Sequence, residues 1–95
     1  MDEDQTYSLT FGVYAPNFQG AFIGEIVNQL RQYCQLRGYR FVGYSTGTKG
    51  DYNSLLGINE LDGVIIVTNS VDNEFAQELV KRKIPAVSIA YDYFP

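Results

Sequence analysis

Four short polar clusters hold most of the side chains able to grip a small molecule. They are Asn17, Phe18 and Gln19 with Phe22 close behind, Ser45 with Thr46, Asn69 with Ser70, and Tyr91 with Asp92. Together they offer amides, hydroxyls, one carboxylate and aromatic faces. Such a set suits a small polar ligand, with hydrogen bonds fixing its orientation and rings covering its apolar faces. Loops are also polar for a plainer reason, because buried loop backbone is costly. Spacing alone leaves both readings open. Phe18 is hard to bury locally and is open to a ligand-facing, a partner-facing or a core role. Phe22 falls in the first turn of a helix and faces either a cleft or the sheet.

Covalent or acid–base chemistry has little support. Asp51, Glu60 and Asp62 are separated and sit near turns, which suits solvated or capping carboxylates better than a catalytic pair. The chain has no histidine and one cysteine, Cys34. That inventory poorly supports a zinc site or a Ser-His-Asp site and allows no internal disulfide. Gly43 and Gly47 form no GxGxxG, and the loop after the first predicted strand is not a phosphate-binding P-loop. A phosphorylated receiver domain needs clustered acids where this chain has Ala15-Pro16-Asn17. No metal and no cofactor is expected.

The four clusters share a position: each follows an apolar, β-prone run. Leu9 to Tyr14 reads as the first strand, ended by Pro16, which cannot donate to a ladder. Arg40 to Tyr44 reads as the second. Val64-Ile65-Ile66-Val67 is the strongest, and its unbroken β-branched run implies burial on both faces, as in a parallel sheet. Ala86 to Ile89, after Pro85, is the fourth. Between them lie helical patterns. One begins near Gly20 to Phe22, carries a stripe of Ile23, Ile26, Val27, Leu30, Tyr33 and Cys34, and ends at Gly38. Cys34 on that stripe reads as a small buried hydrophobe. Asp51 to Leu56 reads as a weak short helix with Leu55 and Leu56 inward. Asp72 to Lys83 reads as an amphipathic helix with Phe75, Ala76, Leu79 and Val80 inward, capped by Ser70 or Asp72.

Strands alternating with helices imply an α/β fold with parallel pairing and right-handed crossovers. The expected architecture is a three-layer doubly wound sheet of strand order 2-1-3-4. All four polar clusters then lie on its carboxyl edge, where open α/β sheets bind ligands.

Size and charge bound the rest. Ninety-five residues suit one small domain, and a hydrophobic fraction of 45% argues against disorder. A net charge of -4 argues against a nucleic-acid-binding surface, and the one basic run, Lys81-Arg82-Lys83, suits a helix C-terminus. Met1 to Thr6 reads as a solvated tail, unlike a secretory signal, and no apolar run has membrane-spanning length. A cytoplasmic setting is expected.

In order and spacing, several segments resemble one family. They are Phe11-Gly12-Val13-Tyr14-Ala15-Pro16-Asn17 with Phe22-Ile23-Gly24-Glu25-Ile26, then Arg37-Gly38-Tyr39-Arg40, then Leu61-Asp62-Gly63-Val64-Ile65-Ile66, then Lys83-Ile84-Pro85-Ala86-Val87-Ser88-Ile89. The chain from residue 7 to 95 resembles the amino-terminal subdomain of LacI/GalR-type sensor domains, relatives of the type I periplasmic binding proteins. The resemblance implies half of a sugar- or metabolite-binding cleft, with no enzymatic activity in this segment. Its ligand loops map onto Asn17, Phe18, Gln19 and Phe22, and near Ser45, Thr46, Asn69 and Ser70. The family often carries Asp-Arg after the fourth strand, where this chain has Ala90-Tyr91. The acidic start looks like the variant that precedes diguanylate cyclase (GGDEF) or histidine kinase modules in bacterial signalling proteins. Transcription regulators of the family carry an amino-terminal helix-turn-helix, and this sequence shows none, nor the second subdomain. The expectation is therefore a fragment of a longer protein.

With order 2-1-3-4 the fourth strand is an open, apolar edge, and Tyr91-Asp92-Tyr93-Phe94-Pro95 adds aromatics. A homodimer is expected in which fourth strands or aromatic tails meet. Two further readings remain: a dimerisation module with a degenerate cleft, and a flavodoxin-like enzyme or phosphocarrier. The last would need a nucleophile or phosphate loop at a strand end, and none is present.

Overall fold

A computed structural model describes residues 8–94. The expected tail, Met1 to Thr6, lies outside the described residues. The element order is β1 (Thr10–Ala15), α1 (Ile23–Arg37), β2 (Arg40–Ser45), a 3-10 turn at Ile58–Glu60, β3 (Gly63–Val67), α2 (Asn73–Lys81) and β4 (Ala86–Ile89). The four strands form one all-parallel sheet of order β2-β1-β3-β4, the α/β topology read from the sequence.

β1 is the axis of the sheet. Val13 lies opposite Gly43 on one side and Ile65 on the other. Its side chains alternate between faces, as the period of two requires. Val13 and Ala15 join Val67, Val27 of α1 and, at the rim, Phe41 and Ile65. Tyr14 points the other way into the larger cluster, with Ile66, Ile58, Val71 and the α2 residues Phe75, Ala76 and Leu79. One helix thus covers each face, giving three layers around the sheet.

Local chemistry sets the element ends. Asp72 is the N-cap of α2, and its carboxylate accepts a hydrogen bond from the Phe75 N–H at 2.8 Å. Gly38 closes α1 in the left-handed conformation, φ 73°, where a Cβ would be strained. Asp62 ties the start of β1 to the entry of β3. Its carboxylate accepts from the Thr10 N–H, and its own N–H donates to the Thr10 carbonyl, both at 2.7 Å.

The expected helix at Asp51 to Leu56 does not form. The segment is flanked by left-handed Gly50 and Gly57 and contains Asn53 and Ser54. Six residues with those composition and ends cannot offset helix nucleation. An irregular crossover instead drops Tyr52, Leu55 and Ile58 against the α2-side core. Leu56, expected inward, is 85% exposed. Two stripe positions also differ from expectation: Tyr33 is half exposed and carries the Arg37 guanidinium over its ring, and Val80 faces solvent.

Ile58→Ala should therefore cost about 2–5 kcal/mol, the range for emptying a buried aliphatic site. Leu56→Ala should stay within about 0.5 kcal/mol, as for exposed positions. Urea denaturation of the two variants checks the corrected crossover directly. Equal losses would restore the expected inward helix.

Candidate functional site

Parallel pairing brings the ends of β1 to β4 to a single rim, so the four polar clusters share one edge of the molecule. The chain winds one way from β1 to β2 and the other way from β1 to β3. The gap between the loops after β1 and β3 is therefore the topological switch point, the usual ligand position in such sheets.

In this chain that gap is bridged from within. Ser70 is fully buried, and its hydroxyl donates to the Tyr14 carbonyl at 3.2 Å, tying the loop after β3 onto the end of β1. The neighbouring hydroxyls are committed in the same way. Thr46 Oγ1 lies 3.2 Å from the Ala15 carbonyl, and Ser45 Oγ lies 3.3 Å from the Pro16 carbonyl. Asn17 accepts the Gln19 N–H on its side-chain oxygen at 2.9 Å and so shapes its own loop. The Phe18 ring lies over Gly43, where an added Cβ would meet it at 3.0 Å. That places Phe18 on the α1 face of β2. Phe22 sits at the N-cap of α1 and is 60% exposed, and Gln19 is also exposed.

A further set of polar groups gathers beyond β3. A shallow hollow of about 220 Å³ is lined by Lys49, Gly50, Asn69, Val71, Asp72, Asn73, Tyr91 and Tyr93. It joins three segments distant in sequence: the loop after β2, the β3–α2 turn and the chain after β4. Two of the residues expected at the site, Asn69 and Tyr91, are here. Asp92 is exposed beside them in sequence, outside the hollow's lining. Sequence reasoning missed Lys49, Asp72 and Asn73 as lining residues. The Ser-, Thr- and Gly-rich loop around Lys49 signals its reach, but no local pattern says where that loop lands. The volume lies below the roughly 300–1,000 Å³ of closed ligand pockets, so the hollow is an open wall and not an enclosed cavity.

Tyr93 builds the hollow's floor. Its hydroxyl accepts the Val71 N–H at 3.0 Å and donates to the Val71 carbonyl. Expected as an unsheltered aromatic, Tyr93 is buried, and Phe94 packs against the same core. Tyr91 lies 4.7 Å from the Tyr93 ring, centroid to centroid, and stays 46% exposed. Strain marks both strand exits. Thr68 and Ala90, one residue past β3 and β4, hold φ of 59° and 66°. Non-glycine residues there cost about 1–3 kcal/mol, and such positions cluster at ligand clamps. The Thr68 hydroxyl is also buried with no hydrogen-bond partner among the described residues.

Beneath the rim, Tyr14 stacks on Tyr44 with centroids 4.3 Å apart and is flanked by Tyr52 and Phe75. Its hydroxyl is buried without a hydrogen-bond partner among the described residues. Burial pushes this phenol well above the usual 10, and the neighbouring Tyr44 and Tyr52 phenols add to the rise. Burial likewise raises Tyr93, with the Val71 backbone bond acting in the opposite direction. Burial also raises the Cys34 thiol, which suits an inert core residue.

Among the described residues no cluster of three potential ligands could hold a metal ion, and no helix is long and apolar enough to cross a membrane. Comparison with family models, with curated proteins and with solved structures finds no match to this chain.

Two outcomes follow from these hydroxyls. Tyr93→Phe leaves the Val71 N–H and carbonyl without their partner and should cost about 1–3 kcal/mol, whereas Tyr14→Phe removes an unpaired buried hydroxyl and should be neutral or stabilising. Both Tyr14 and Tyr93 have folded values raised above the unfolded 10. Their contribution is fully present below pH 10 and is lost as pH climbs above it, while the unfolded chain ionises first. A urea series between pH 8 and 11 checks this, and Tyr14→Phe should flatten the decline.

Proposed function

We propose that this chain is a small-molecule sensing unit, holding one side of a sugar or similar polar metabolite on the carboxyl edge of its sheet. The observation that carries the reading is the hollow where Lys49, Asn69, Asp72 and Tyr91 converge beside the ends of parallel strands. An amide, a carboxylate and an ammonium match the alternating donors and acceptors of a hydroxyl-rich ligand. The exposed Tyr91 ring offers an apolar face for stacking. The loop residues Asn17, Gln19 and Phe22, with Asp92, serve in this reading as the outer wall. The role in this reading is binding rather than reaction, since among the described residues nothing at the rim pairs a nucleophile with a base.

The sequence resemblance to the amino-terminal subdomain of LacI/GalR-type sensors agrees with the observed strand order. It extends the proposal to half of a two-part cleft in a cytoplasmic bacterial signalling or transcription-regulatory protein. A second subdomain would close over the open side of the hollow. The acidic balance of the chain, -4, argues against a nucleic-acid contact by this segment and leaves that role to another part of such a protein.

One observation favours the second reading, a dimerisation module with a degenerate cleft. The hydroxyls of Ser45, Thr46 and Ser70 are spent on the carbonyls of Pro16, Ala15 and Tyr14. Titration of the isotope-labelled chain with monosaccharides and nucleosides separates the two. The sensing reading predicts amide shifts at Gly50, Asn69 and Asn73 for at least one compound, weakened at least about tenfold by Asn69→Ala, one lost hydrogen bond to a bound group being worth about 1.4 kcal/mol. Silence across the panel at millimolar ligand favours the degenerate cleft.

A further inference from the structure

One edge of β4 carries backbone groups with no strand beside them among the described residues. Among the described residues β4 has a neighbour on one side only, β3. The carbonyls of Pro85 and Ile89 accept the N–H groups of Val64 and Thr68 at 2.9 and 2.7 Å. The alternation of a strand then turns Val87 toward β3 as well and directs the N–H and C=O of Ala86 and Ser88 outward. The segment Ala86–Ile89 contains no charge and no proline, so nothing on the strand itself blunts the edge. Val87 shares a face with Ile65, its register partner, and is 57% exposed. An apolar hollow of about 210 Å³ continues inward from it, lined by Phe11, Gly63, Ile65 and Pro85 among others.

We propose that this edge joins a second copy of the chain in an antiparallel pair centred on Val87, giving one continuous eight-stranded sheet. The register follows from the hydrogen-bonding pattern. A two-fold axis at Val87 sets Ala86 against Ser88 of the partner subunit, and Ser88 against the partner's Ala86. Each pair exchanges two bonds, four in all. Moving the axis to Ser88 would require Ala90 to pair, and its φ of 66° takes it out of the strand. Moving the axis to Ala86 would require Ile84, which precedes Pro85 and lies outside β4. The Val87 side chains then meet directly in the closer, non-hydrogen-bonded position and cover each other's exposed surface.

Charge selects the same partner. Antiparallel pairing brings the end bearing Asp92 to the partner's basic turn at Arg82 and Lys83, twice by symmetry. Arg82 is already engaged by Glu78 at 2.7 Å, which leaves the exposed Lys83 as the cation for the acidic end. A two-fold contact of this kind is self-complementary and closes at two copies. Four bonds and one apolar pair make a small interface, so the dimer dissociates on dilution. This inference does not depend on the hollow binding a ligand.

Sedimentation velocity of the 95-residue chain across micromolar to millimolar concentration tests it, with two lysine variants. Val87→Lys places like charges face to face and should raise the dissociation midpoint at least about tenfold. Val80→Lys, at an equally exposed valine on α2, should leave it unchanged. Val87→Cys should form a reducible, disulfide-linked dimer under mild oxidant, while Ser88→Cys, whose side chain points to the other face, should form far less. Because Val87→Cys is nearly isosteric, it also tests the contact if the lysine disturbs folding, which circular dichroism reports. A chain that stays monomeric up to millimolar overturns the proposal. So does a dimer indifferent to Val87→Lys, one broken equally by Val80→Lys, or a Val87→Cys chain that never cross-links.

Discussion

The double pairing of β1 is the constraint on which the rest of the structure depends. A strand with a parallel neighbour on each side must cover both faces, and β1 does so with Val13, Tyr14 and Ala15 each at 0% exposure. Its central position forces β2 to one side and β3 to the other, so the chain must cross above one face and then the other. That switch in winding puts the loops after β1 and β3 next to each other at the carboxyl edge. Parallel strands buried on both faces demand the unbroken apolar runs that the sequence contains.

Tyr14 converts that constraint into the shape of the rim. Its ring anchors the aromatic layer with Tyr44, Tyr52 and Phe75, which holds the irregular crossover against the sheet. Its carbonyl receives Ser70, which draws the β3–α2 turn over the end of β1. The same turn is held from the other side by Tyr93 through Val71, and from the crossover by the Asp72 N–H donating to the Tyr52 carbonyl at 2.9 Å. Three separate segments are thus fastened to three consecutive residues, Ser70, Val71 and Asp72, and the hollow at Lys49, Asn69 and Tyr91 lies beside these anchor points. The proposed ligand surface is a by-product of how the core is tied shut, which explains why hydroxyls expected at a cleft serve the backbone instead.

Much of this was legible in the sequence because it rests on local pattern. The β-branched run Val64 to Val67, the helical stripe around Val27 and the stops at Pro16, Gly38 and Pro85 locate strands and helices without tertiary information. The strand order then follows from connectivity rules, and the observed order agrees. What was not legible depends on contacts across long separations. The two leucines Leu55 and Leu56 look alike in sequence, yet one packs on the core and the other is exposed, because a loop and not a helix carries them. Tyr93 reads as a stray aromatic until Val71, 22 residues away, supplies both halves of its hydrogen bonding. Lys49 joins the rim only because the loop after β2 passes beside Asn69, whose carbonyl would lie 3.1 Å from a Cβ on Gly50.

The central claim is that β1 lies between β2 and β3 with all neighbours parallel, and nuclear Overhauser effects between backbone protons test it most directly. The account predicts interstrand Hα-to-amide cross-peaks from β1 to both neighbours, in the registers Val13 with Gly43 and Val13 with Ile65. It predicts no close Hα–Hα pairs between adjacent strands. Strong Hα–Hα cross-peaks, the mark of antiparallel neighbours, or a β1 that contacts only one other strand would contradict it, and the shared rim would go with it.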